Sequence, residues 1–176
     1  MAIYQILTLP HPTLRRVAEP VTKVGDEVRA LLEDMLETMY AAPGIGLAAV
    51  QIGIARRIAV VDCAPKGSTK DPLCMVNPQI IWQSEELSEY EEGCLSIPEI
   101  FENVERPNIC RVKYLDKNGE ECERDCEELL ATCVQHEIDH LNGVLFIDHI
   151  SRLKRDRIIR KFNKAAKERK RADGAA

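Results

Sequence analysis

"QHEIDHLNG", residues 135–143, places two histidines four apart with a glutamate directly after the first. On an α-helix, residues four apart project from the same side. His136 and His140 can therefore reach one ion, and Glu137 lies close enough to take a proton from a water held there. The same five-residue string also fits the polar face of an ordinary helix. It implies a helix from about Glu127 to Leu141, with Gly143 placed to end it.

Around this helix the 176-residue chain has the size of one domain and the make-up of a globular protein, 45% hydrophobic and 30% charged. The net charge of −5 gives no overall pull toward nucleic acid or anionic lipid, and DNA is not an expected partner. The charge is uneven. Ser151–Arg171 holds eleven Lys/Arg against two acidic residues. No apolar run has the length of a membrane span, and the N-terminus lacks the pattern of a secretory leader. A cytoplasmic location is expected, or an organellar matrix if a transit peptide has been removed. The seven cysteines are odd in number with no C-x-x-C spacing, so reduced thiols are expected.

"GDEVRALLEDMLETMYAAP" (25–43) predicts an N-terminal helix that buries Val28, Leu31, Leu32, Met35, Leu36 and Met39, with Asp26 as N-cap. Strands are expected at 56–63 and around 75–82, separated by the turn-rich "APKGSTKDP". A hairpin is expected where Cys110, Val112 and Tyr114 alternate with charge before "DKNGE" and return near "ECERDC". A basic C-terminal helix spans about 151–172, with Ile150, Leu153, Ile158, Phe162 and Ala165 as its apolar stripe. The order favours an α+β fold: mixed or antiparallel sheets around a central metal-binding helix, with a helix at each end.

A catalytic divalent site takes three protein ligands and keeps one position open. His149 lies nine residues beyond His140, outside the usual spacing for a third. The cysteines are a better source. Cys133 is two turns from His140, about 10 Å along the axis, and reads as packing beside the site. Cys94, in "EEGCLSIPE" (91–99), reads on its own as a strand cysteine. "GIGLAAVQIG" (44–53) is no phosphate loop, and alone reads as a close-packed turn presenting Gln51.

Together, "GIGLAAVQ", "EGCLS" and "QHEIDHLNG" resemble the three signature segments of the peptide deformylases, in the family's order and separations. The resemblance covers nearly the whole chain. It implies that Cys94, His136 and His140 hold one divalent metal, Fe2+ in the cell with Zn2+, Ni2+ or Co2+ able to substitute, and that Glu137 is the general base. The Gln51 side chain and the Leu95 backbone N–H would stabilise the oxyanion. The implied substrate is the nascent formyl-Met polypeptide, its backbone paired with Ile45, Gly46 and Gly93 and its methionine in a slot near Ile45, Leu129 and Cys133. One departure is that many bacterial members carry an arginine near the cleft after "SIPE", where this chain has "IFENVERP". The basic tail fits either a solvated helix face or a ribosome-docking helix, as in relatives. The alternatives are a zinc peptidase built on H-E-x-x-H and a non-catalytic ribosome-associated protein.

Overall fold

Ile58–Val61 is an unbroken apolar run because it is covered on both sides. In the computed structural model, which describes residues 2–65 and 67–173, this run is β2, second in the five-stranded sheet. Ile58 and Val60 face the N-terminal helix α1 (Asp26–Ala41), and Ala59 and Val61 face the central helix α2 (Glu128–Leu141). Strict alternation is lost where both faces are dry.

The sheet order is β1 (Gly46–Ala48), β2, β3 (Leu73–Gln83), β6 (Ile109–Leu115), β7 (Glu121–Glu127), each pair antiparallel. A separate two-stranded sheet is formed by β4 (Leu87–Cys94) and β5 (Ile97–Pro107). The α+β expectation, with a central helix and one helix at each end, is met; every named strand pair is antiparallel.

α1 buries Val28, Leu31, Leu32, Met35 and Met39 as expected, while Leu36 is half-buried. Asp26 is the first helical residue, and the N-cap is Gly25, with no side-chain cap bond. The expected strand at 56–63 is shorter, and that at 75–82 longer. Lys66, in the loop between them, lies outside the described residues, as do the last three of the 1–176 span.

The main surprise is β4–β5. In place of one strand through Cys94, Cys94 ends one long strand and Ile97 begins the next. Leu95 and Ser96 form the turn between them, beside a register shift at Gly93/Cys94. A third core cluster lies under this hairpin, with Ile97 and Val104 against Leu145, Phe146, Ile147 and Ile158.

α2 sits on the five-stranded sheet through Ala131, Val134, Ile138 and Leu141, against Ala59, Met75 and Val112. Its C-terminal Leu141 carbonyl is satisfied by neighbours: Ala18 N donates to it at 2.8 Å and Arg57 Nη1 at 3.4 Å, and Arg57 also donates to the Asn142 side chain at 2.8 Å. Gly143 has φ +74°, a left-handed stop, and a Cβ there would meet Arg15 O at 2.6 Å. The C-terminal helix α3 (Arg152–Asp173) buries Ile158 and partly Ile159 and Phe162. Leu153, expected in the apolar stripe, is 77% exposed, because the first turn of α3 stands clear of the core. Among the described residues no helix is long and apolar enough to cross a membrane.

Candidate metal centre and cleft

Three elements converge on α2. The 3-10 turn Ala49–Ile52 after β1 brings Gln51, the end of β4 brings Cys94, and α2 itself presents His136, Glu137 and His140. A cleft of ≈ 510 Å³ opens between them. Ile45, Gly46, Gln51, Gly93, Cys94, Leu95, Leu129, Cys133, His136 and Glu137 all line it. His140 completes the group behind them, 1% exposed.

One ligand atom from each of Cys94, His136 and His140 lies within 4.8 Å of the others. Cys94 Sγ is 3.2 Å from His140 Nε2, and the two imidazole centroids are 5.0 Å apart. A thiolate and two imidazoles suit several late divalent ions. Three protein donors also leave room for a further ligand, as a hydrolytic site requires. The donor set therefore fits a metal.

His136 is held by a buried ion pair. Its Nδ1 donates to Glu92 Oε2 at 2.8 Å, which turns Nε2 toward the cleft. Glu92 is gripped in turn by Arg106, with Nε–Oε1 at 2.5 Å and Nη2–Oε2 at 3.1 Å. Arg106 reaches on to Asp139 at 2.8 Å, and His149 Nε2 bonds the same Asp139 oxygen at 2.7 Å. His149 is thus spent on Asp139 and is no ligand.

Burial would raise the Glu92 carboxyl, but His136 and Arg106 outweigh it and hold the pKa below the usual range. For His136, burial opposes charge, yet its bonds to Cys94 and Glu92 prevail and its pKa is raised well above the ordinary value. Burial, then the charge of His136, holds His140 well below it.

Glu137 is the buried acid of the cleft. Its Oε2 has no hydrogen-bond partner, and burial pushes its pKa up to about 7, with the neighbouring His136 charge opposing. Gly46 lies against it, with no room for a side chain. Gln51 is 1% exposed, so its amide is less freely presented than the sequence reading supposed. Its Oε1 accepts from Ala48 N at 2.8 Å, which leaves Nε2 facing Ser96 Oγ at 3.1 Å and Cys94 Sγ at 3.6 Å. The Gly93 backbone lies under the ring of Phe101, its partner across the hairpin.

All seven cysteines are free. Cys133 lines the cleft and belongs to the core cluster against which Cys63 packs, in keeping with packing beside the site. The sequence reading passed over Glu92, Arg106, Ser96 and Thr132. Glu92 carried a signal, a carboxylate two residues before the cysteine in "EEGCLS", where a supporting partner for a ligand histidine is to be sought.

With this geometry established, the likeness to known proteins is specific. Residues 3–156 match the family described as polypeptide deformylase. A peptide deformylase of Phenylobacterium zucineum is 58% identical over 167 residues, spanning 95% of this chain and 99% of that protein. The crystal structure of the Ehrlichia chaffeensis peptide deformylase in complex with actinonin superposes with a TM-score of 0.88 at 43% identity, covering 94% of this chain and 98% of that one. A Met-Ala-Ser-bound peptide deformylase from Acinetobacter baumannii superposes at 0.81 with 34% identity, covering 85% and 99%. The match runs through all three elements that build the cleft, and on it the chain belongs to the peptide deformylase family of enzymes.

Proposed function

We propose that this chain hydrolyses the formamide at the N-terminus of newly made formylmethionyl polypeptides and releases formate, with Cys94, His136 and His140 as ligands of one divalent ion. The observation that carries the reading is the convergence of three donor atoms within 4.8 Å beside a buried, unpartnered Glu137 oxygen. Fe2+ is the ion we assign in the cell, and Zn2+, Ni2+ and Co2+ suit the same donors. When bound, the ion supplies Lewis acidity, which activates water as a nucleophile and draws charge from the formyl oxygen.

Glu137 accepts the proton of the attacking water and delivers it to the amine nitrogen as the C–N bond breaks. A carboxyl held near 7 by burial is suited to both transfers. As the formyl carbon becomes tetrahedral, its oxygen takes hydrogen bonds from Gln51 Nε2 and the Leu95 backbone N–H. The Ala48 bond that pins Gln51 Oε1 supports this role, because it fixes which end of the amide meets the cleft.

The substrate backbone pairs with Ile45, Gly46 and Gly93. β1 is an end strand of its sheet, so one of its edges is free to receive an extended peptide. The methionine side chain enters between Ile45, Leu129 and Cys133. The chain works as one catalytic domain in the cytoplasm, and the basic face of α3 docks it on ribosomal RNA. That docking loses affinity steeply with salt, and co-sedimentation with ribosomes across a salt series tests it.

The decisive experiment uses enzyme purified anaerobically with iron. Formyl-Met-Ala yields formate, and an unformylated peptide with the same internal bonds is untouched. Cleavage of internal bonds alone overturns the reading.

A further inference from the structure

Thr132 stands in the wall of the methionine slot, between Leu129 and Cys133, and is 4% exposed. Its Oγ1 is buried and makes no hydrogen bond. Threonines within helices commonly bond the carbonyl four residues back. Here that carbonyl belongs to Glu128, and Thr132 Oγ1 makes no bond to it. The hydroxyl is therefore a donor without an acceptor, on a residue that shares the cleft wall with Ile45, Leu129 and Cys133. Helical threonine has two accessible χ1 wells, so Oγ1 can turn toward a side chain that fills the slot.

A methionine side chain in that slot carries a single acceptor, its thioether sulfur. We propose that Thr132 is a specificity-determining residue whose hydroxyl donates to that sulfur, so that the slot distinguishes methionine from a hydrocarbon chain of equal length. The proposal rests on the deformylase reading above. Norleucine is the discriminating substrate, because it replaces the sulfur with a methylene and leaves Oγ1 unpartnered. A pocket that only fills space treats the two nearly alike. One that supplies a hydrogen bond disfavours the analogue that cannot accept it.

The test compares kcat/KM for formyl-Met-Ala and formyl-norleucyl-Ala in the iron-loaded wild type, Thr132→Val and Thr132→Ser. Reading the ratio within each protein removes differences in folding and metal loading. The wild type favours methionine about three- to tenfold, the range of one neutral hydrogen bond. Thr132→Val, of nearly the same shape, brings the ratio close to one, and Thr132→Ser keeps the preference. An unchanged ratio in Thr132→Val, or no preference in the wild type, overturns the proposal and leaves deformylation standing. If the wild type releases formate from neither peptide, the deformylase reading itself fails and this inference falls with it.

Discussion

A Cβ built on Gly46 stands 2.2 Å from Glu137 Oε1 and 2.9 Å from its carboxyl carbon. The absence of a side chain at Gly46 is what lets Glu137 lie where it does. Gly46→Ala must push the carboxylate aside, and a displacement near 1 Å at a catalytic group costs roughly 10²-fold in rate. We expect that loss in kcat with the metal content of the wild type, since the three atoms nearest the added methyl all belong to Glu137. Formate release and elemental analysis of the same preparation check it. Wild-type kcat would show that the carboxylate position does not matter.

Removing the carboxylate altogether gives a sharper form of the same test. Glu137→Ala should bind metal stoichiometrically and lose at least about 10²–10⁴-fold in turnover, the usual contribution of a positioned acid–base group. Activity close to wild type would rule Glu137 out as the base.

Cys94 is the one donor of the group that comes from outside α2. Serine offers a harder, less acidic oxygen in place of a thiolate. Cys94→Ser should weaken metal retention by more than the roughly 10- to 100-fold that loss of a supporting residue costs. Dialysis against a chelator followed by elemental analysis measures this, and retention equal to wild type would point to another ligand.

α1 announces itself in sequence by helical spacing, β2 by an unbroken apolar run, α2 by the spacing of its histidines, and β6–β7 by alternation around a tight turn. The β4–β5 hairpin did not. Glu89, Glu91, Glu99 and Glu105 crowd its exposed positions, and its buried apolar residues, chiefly Ile97 and Val104, are too few to set a period. The site followed the same division. Cys94, His136 and His140, whose donor atoms the fold brings within 4.8 Å of one another, stand in motifs of restricted residue type. Glu92 and Arg106 read as ordinary surface charge, although both are buried against each other at about 5% exposure or less. Nothing local in the sequence distinguishes a charge that meets its partner 14 residues away across a hairpin from one facing water.

Asp148 gives a pH-dependent prediction that does not involve the metal group. It pairs with Arg15 and accepts from Leu145 N at 2.9 Å, tying the N-terminal segment to the turn after α2. Burial alone would raise its pKa, but the Arg15 bond and the Leu145 N–H outweigh burial and lower it. A carboxylate whose folded pKa lies below its unfolded value stabilises fully above the unfolded value. That contribution is lost as the pH falls through the folded one. Asp148→Asn should therefore be less stable than wild type at neutral pH, with a gap that closes on acidification below the ordinary aspartate value of 3.8. Arg15 is 39% exposed, so solvent screening limits the gap to about 1 kcal/mol. Urea denaturation of both proteins over a pH series reads it directly. A gap that stays constant through that acid range would mean that Asp148 stabilises the turn by shape and neutral hydrogen bonding, with no contribution from its charge.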